Sequence, residues 1–515
     1  MDKRDEAAWN RRTLIKASAA GAAMLSPAFS TMVHAATGDV AAVKAAVGAR
    51  KAVTVQKLRD WIAVPTIAAE QRNIKEGVAQ MIALARDSGF ANAKEIPTGG
   101  VPSVFGTIDV GAPTWVAVYF MYDVKQYDPA EWTSPPLEGQ LVDRPGLGKV
   151  MIGRGTVNTK GPQMAFLAAL DAFKAAKRKL PVNVVLIAEG EEEIASTNFH
   201  NAIRNPEVHA ALKKCSGIFI PFAGQSLNGN VSVDLGAKGA LELELVSSGE
   251  KWGRGPTKDI HSSNFARVDS PAWHLVQALN TLMKPDGHTI AVEGWYDNVK
   301  PLTARQKELI ADTARRTSEE EAKKMLGVQR WIRDEDWQTS LERFVSQPTM
   351  NIQGLTGGYM GPGGKTVLPH RATAKMEFRL VPDMTREEAE QKFKAHLAKH
   401  GFGDIEVNVT GGYGPTETEE DSVIVRAQKA MLERAGVGYS INPRLAGSWP
   451  GVVFTGPPLN LPAAQIGLGH GGLAHSPDEF YLIDSNNPKV AGMDGATSAY
   501  VDLLYEVAAQ ARTRK

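Results

Sequence analysis

The chain has 515 residues, with 58 Lys and Arg against 57 Asp and Glu, a formal charge of +1, and 43% hydrophobic and 22% charged residues. That length exceeds what one hydrophobic core supports, so two or three domains are expected, and the lack of a basic excess argues against nucleic-acid binding. The single cysteine, Cys215, rules out an intrachain disulfide and any cysteine-rich zinc or iron–sulfur site, and it reads as a small buried hydrophobe.

In chain order, Asn10-Arg11-Arg12-Thr13-Leu14-Ile15-Lys16 precedes an alanine-rich run that ends at Val33-His34-Ala35. Residues 1–35 read as a twin-arginine signal peptide. Ser18, Ser26, Pro27, Ser30 and Thr31 interrupt the run too often for a membrane anchor. The mature chain is then expected to be near neutral, without a membrane span, and periplasmic or secreted.

Helical spacing of apolar residues follows over 43–62 and 74–88, and apolar runs typical of strands cover 115–120, 182–188, 218–222 and 231–233, with a helical stretch at 164–175 between them. Strands alternating with helices predict an α/β fold, a mostly parallel sheet covered by helices, with functional groups at the carboxyl ends of its strands. From Gly239 the pattern becomes period-two, as in Ala240-Leu241-Glu242-Leu243-Glu244-Leu245, with helices at 271–283 and 386–400 and strands at 373–380 and 405–409. This predicts an inserted α+β domain. Residues 285–345, charge-rich and carrying Trp295, Trp331 and Trp337, read as helical excursions of the insert, and helices over 422–435 and 490–511 return to the first sheet. The expected division is a signal at 1–35, a first catalytic part at 36–238, an inserted dimerisation or lid domain at 239–415, and a second catalytic part at 416–515.

Four segments fall at strand ends: Tyr119-Phe120-Met121-Tyr122-Asp123-Val124, Gly153-Arg154-Gly155-Thr156-Val157-Asn158-Thr159-Lys160-Gly161, Glu189-Gly190-Glu191-Glu192-Glu193-Ile194-Ala195-Ser196 and Ala474-His475-Ser476-Pro477-Asp478-Glu479. In order and spacing they resemble the co-catalytic zinc exopeptidases of peptidase family M20, which include carboxypeptidase G, cytosolic dipeptidases, carnosinases and aminoacylases. The resemblance spans nearly the whole mature chain. It implies Asp123 as the aspartate that orients a ligand histidine, Glu192 as general base, and Glu193 and His475 as metal ligands. Lys258-Asp259-Ile260-His261-Ser262-Ser263 resembles the segment whose histidine reaches the partner subunit's site. His261 is therefore expected to hold a carbonyl oxygen across a homodimer. Arg379, in Met376-Glu377-Phe378-Arg379-Leu380-Val381-Pro382, matches an arginine that binds a substrate carboxylate. Gly447-Ser448-Trp449-Pro450 matches a substrate loop, with Ser448 as a contact and Trp449 expected to narrow or line the pocket. His470, five residues before His475, reads as a substrate contact, a replacement ligand or a plain loop histidine.

The departures carry weight of their own. The first ligand histidine of the family falls on Met121, the metal-bridging aspartate on Asn158, and a further aspartate ligand at Pro221 or Phe222. A carboxamide supplies neither the charge nor the bridging oxygens that two close cations need, a thioether is a soft donor poorly matched to zinc, and proline or phenylalanine cannot coordinate. The expected cofactor state is no metal, or a single weakly bound divalent ion at Glu193 and His475, and not a zinc pair. Three functions stay open on this reading. The first is an exported hydrolase cleaving an amide beside a free carboxylate in a small peptide or N-acyl amino acid, with unusual or absent metal dependence. The others are a metal-free acid–base enzyme of another class, such as a lyase, isomerase or acyl transferase, and a non-catalytic carboxylate-binding protein.

Overall fold

A computed structural model describes residues 27–513, with side chains from residue 39 onward. The twin-arginine motif at residues 10–16 lies outside the described residues. Pro27–Ile62 forms one helix, and no helix among the described residues is long and apolar enough to cross a membrane.

The central sheet has six strands in the order Lys94–Ile96, Ser103–Ile108, Asn183–Glu189, Trp115–Met121, Cys215–Pro221 and Ala463–Ile466. The last four run parallel, and the first two join antiparallel at one edge. Parallel strands buried on both faces form near-continuous apolar runs, and Asn183–Glu189, apolar from Val184 to Ala188, is buried at every position. On one face Val116, Val118 and Phe120 meet the helices Pro27–Ile62, Gly161–Ala175, Val423–Arg434 and Met493–Arg512; on the other, Ala117 and Tyr119 meet Phe199, Trp449 and Phe454. The sheet is therefore the α/β, mostly parallel one expected from the sequence. In register, Phe120 faces Ala188 and Met121 faces Glu189, so the segments after these two strands leave the sheet side by side. Gly190 lets them close up, because a Cβ there would fall 2.5 Å from Cζ of Tyr122.

A second sheet, antiparallel and not anticipated from the sequence, joins Gly471–Gly472, Phe480–Ser485, Gly148–Ile152 and Gln140–Arg144. Its strands are short and partly exposed, and one partner lies more than three hundred residues along the chain. Such pairing leaves little periodicity to read.

The period-two segment becomes the strand Gly239–Ser248 of a four-stranded antiparallel sheet, in the order Thr349–Gly357, Arg371–Leu380, Gly239–Ser248, Glu406–Tyr413. Leu241, Leu243 and Leu245 point into a separate core beneath the helices Pro271–Thr281 and Arg386–Lys399, where Trp295 meets the Phe378 ring edge-on at 5.5 Å. Glu242 and Glu244, on the opposite face, border a cleft. Residues 285–345 contain the helices Ala304–Arg316, Glu319–Leu326 and Trp337–Ser346, with Trp331 stacked on Trp337 at 5.4 Å. They are not confined to the insert. Leu309 packs in the core of the first sheet, and Thr313 Oγ1 donates to Asn442 Oδ1 at 2.7 Å, because the amphipathic helix Ala304–Arg316 finds its apolar partner there.

Cys215 opens a central strand and packs its thiol against Ala211 and the core around Phe199, with Sγ 3.6 Å from the Ala211 carbonyl oxygen. Burial pushes the thiol up to about 12. The native chain thus holds this proton where the unfolded chain has lost it, so the stability Cys215 contributes is present below pH ~8.5 and disappears as pH rises toward its native value. Alkylation by iodoacetamide at pH 8 is expected to be about a thousandfold slower in the native protein than in the denatured one. Equal rates would show a reactive thiol.

Candidate functional site

The site lies where the carboxyl ends of the parallel strands face the polar side of the insert's sheet. Between them is a cleft of about 1080 Å³, bordered by Glu192, Glu193, Lys125 and His475 on one side and by Glu377, Arg379 and Tyr413 on the other.

Its floor is built on buried carboxylates, each held by donors. After the strand Asn183–Glu189, the chain makes a tight turn at Glu192–Ile194. Glu191 secures this turn from behind: its carboxylate accepts the backbone N–H of Val101 at 2.8 Å and of Asn198 at 2.9 Å. Asp123, 1% exposed, secures it from below by accepting the backbone N–H groups of Glu192 at 3.3 Å and Glu193 at 3.0 Å. Burial, together with the neighbouring Glu193 carboxylate, pushes Asp123 up to about 8. The residue it was expected to orient is replaced by Met121, buried in the strand end. Asp123 therefore positions the Glu192–Glu193 backbone and lies off the cleft wall, not among the groups that meet a substrate.

Glu192 projects into the cleft, and its carboxyl is held well above the ordinary carboxylate range by burial and by the charges of Glu193 and Asp123. Glu193 is almost wholly buried and surrounded by donors. Asn158 Nδ2 donates to its Oε1 at 2.9 Å, Lys125 Nζ lies 3.4 Å from its Oε2, and His475 Nε2 lies 3.2 Å from the same oxygen. Asn158 Nδ2 is also 2.9 Å from His475 Nε2, and Lys125 donates to the Glu193 carbonyl. Glu193, His475 and Asn158 are thus brought together as expected.

Opposite, Arg379 is ion-paired with Glu377 and donates to Ser448 Oγ, so the arginine and serine expected at a substrate anchor do meet in the cleft wall. Two other expected residues do not join them. His261 sits on the exposed short strand Ile260–His261, where Nδ1 accepts the Ser263 N–H at 3.2 Å; within one chain it stays off the cleft. His470 turns its Nδ1 to the Gln225 carbonyl at 2.8 Å, a loop-fixing contact away from the cleft. Trp449 is also corrected: it does not line the pocket but is buried behind it, its ring 6.2 Å from Tyr119 and 6.4 Å from Phe454. The indole finds more apolar surface in that core than in a polar cleft.

Lys125 was missed by the sequence reading. Its signal was a lone lysine two residues past Asp123, in a loop leaving a strand buried from Val116 to Met121. The role of Glu479 was missed as well. Only 1% exposed, it accepts from Arg154 Nη1 at 2.8 Å and from the backbone N–H groups of Gly155, Val157 and Asn158 at 2.9, 3.0 and 2.9 Å. It thereby fixes the segment carrying Asn158.

The donor set at the family's metal positions does not fit a pair of zinc ions. Met121 and Asn158 offer no anionic oxygen or imidazole, Phe222 cannot coordinate, and among the described residues no three His, Cys, Asp or Glu side chains are placed to share an ion.

The family model described as Peptidase family M20/M25/M40 matches residues 122–493. The chain belongs to this family. As a peptidase-family member it is a hydrolase. It is 27% identical over 413 residues to a Beta-Ala-His dipeptidase of Rattus norvegicus, covering 74% of this chain and 80% of that one. It is 28% identical over 327 residues to the Cys-Gly metallodipeptidase DUG1 of Saccharomyces cerevisiae, covering 60% and 64% respectively. Among solved structures, an M20 family metallo-carboxypeptidase from Sulfolobus solfataricus superposes with a TM-score of 0.78 at 30% identity, covering 88% of this chain and 99% of that one. Human carnosine dipeptidase 1 has a TM-score of 0.73 at 23% identity, covering 91% and 100%, which shows the shared fold.

Replacing Arg154 by Ala leaves Glu479 as a buried charge without its ionic partner and is expected to cost about 3–5 kcal/mol of stability. Chemical denaturation checks this, and an unchanged midpoint would show that the three backbone donors suffice.

Proposed function

We propose that the protein hydrolyses an amide bond beside a free carboxylate, in a dipeptide-sized peptide or N-acyl amino acid, with unusual or absent metal dependence. The observation that carries this reading is the placement of a high-pKa carboxylate, Glu192, and a carboxylate-binding pair, Arg379 and Ser448, on facing walls of one cleft. The names of the relatives, two dipeptidases and a carboxypeptidase, support the same substrate size.

On this reading the substrate carboxylate displaces Glu377 from the Arg379 fork, whose planar geometry suits two parallel hydrogen bonds. That anchor fixes the scissile carbonyl relative to Glu192. Water attacks the carbonyl carbon while Glu192 accepts its proton; the carboxyl then returns the proton to the departing amine as the C–N bond breaks. A carboxylate held above its usual range is the stronger base for the first of these transfers.

We further propose a homodimer formed through the insert. The strand Thr349–Gly357 is one of the two edges of its sheet, with Ile352 and Leu355 47% and 48% exposed, and Trp273 on the helix Pro271–Thr281 is 57% exposed. Such an edge beside an apolar face suits pairing with a second copy, which would bring His261 toward the partner's cleft. Residues 1–35 are proposed to export the folded chain.

Purified protein screened against dipeptides and N-acyl amino acids is expected to release the free amino acid, with Glu192→Gln lowering kcat by about a hundredfold or more and Arg379→Ala acting chiefly on KM. Hydrolysis undiminished in Glu192→Gln would remove the proposed base. Cell fractionation followed by sedimentation should find the protein as a periplasmic or secreted dimer; a cytoplasmic location would refute export, and a monomer would refute the pairing.

A further inference from the structure

The centre around Glu193 differs from a metal site in more than its missing ligands. A carboxylate 4% exposed needs compensation wherever it is buried, by cations or by donors. Here two protein groups already supply it: the Asn158 carboxamide on Oε1 and the Lys125 ammonium on Oε2, with His475 Nε2 3.2 Å from Oε2. Asn158 Nδ2 also lies 2.9 Å from His475 Nε2, so the carboxamide bridges the two remaining ligand types with nitrogen rather than oxygen. A divalent ion entering between Glu193 and His475 would meet two N–H-bearing groups pointed inward, one of them already charged. Lys125 adds a positive charge 3.4 Å from Oε2, and that charge repels an incoming cation.

We propose that Lys125 and Asn158 take over the charge-compensating role of a metal at this position, satisfying Glu193 from within and closing the centre to divalent cations. Lys125 acts here as a positioning residue, since it holds Glu193 and, through the Glu193 carbonyl, the turn that carries Glu192. The closure is a property of the side chains and holds whichever amide is cleaved. It is therefore tested without reference to activity.

Full-length protein incubated with zinc and freed of loose metal by gel filtration is expected to retain less than about 0.1 zinc per chain, and its Tm should be unmoved by zinc or EDTA. The double variant Lys125→Gln with Asn158→Asp removes the resident cation and restores an anionic oxygen beside Glu193 and His475. It is expected to retain about one zinc per chain, three protein donors and water completing the sphere, and to gain Tm on adding zinc. Stoichiometric zinc in the natural protein that His475→Ala abolishes would overturn the proposal. So would a folded double variant, judged by circular dichroism, that takes up none. Should the double variant fail to fold, Lys125→Gln and Asn158→Ala are read separately. Each is expected to lower Tm by about 2 °C or more by leaving Glu193 under-compensated, and an unchanged Tm in both would equally overturn the proposal.

Discussion

Burying a carboxylate obliges a protein to surround it with donors, and the floor of this cleft is an answer to that demand repeated four times. Asp123 and Glu191 are satisfied by backbone amides, Glu479 by Arg154 and three amides, and Glu193 by Asn158 and Lys125. Each set of bonds fixes a loop that the parallel sheet delivers but cannot itself hold in place. Glu191 and Asp123 shape the turn bearing Glu192, and Glu479 fixes the segment bearing Asn158. The site's geometry thus rests on charge compensation more than on apolar packing.

The two halves of the cleft differ in how they are built. The strand-end half is rigid because its carboxylates are buried and bonded. The insert's half is the polar face of an antiparallel sheet, whose other face is clamped by its own core. Alternation along a strand separates these faces: the leucines that hold the insert together also aim Glu242 and Glu244 outward, and Glu377 and Arg379, two residues apart, share the cleft side. The pairing of Arg379 with Glu377 keeps the guanidinium oriented in the cleft wall. The excursion over 285–345 ties the insert's chain back to the first core through Leu309 and Asn442.

Legibility in the sequence followed the range of the interaction. The parallel strands were readable because burial on both faces writes itself as an unbroken apolar run, and the insert because one buried face writes itself as alternation. The second antiparallel sheet was not, since Phe480–Ser485 pairs with Gly148–Ile152 across most of the chain and neither carries a long pattern. Among site residues, Glu192, Glu193, Arg379, Ser448 and His475 were recognised by motif and converge on the cleft. Trp449 was misplaced because sequence cannot say which side of a loop faces the core, and Lys125 was overlooked because its partner, Glu193, is 68 residues away.

What the sequence by itself determined was the α/β class, the family motifs and the presence of Met121 and Asn158 where the resemblance places metal ligands, because residue identity and local periodicity are properties of neighbouring positions. Only the tertiary structure decided what fills the place of those ligands. Whether a buried carboxylate meets a metal, an amide or an ammonium depends on side chains from four separate segments arriving within hydrogen-bond distance, and that convergence is set by the folding of the whole chain.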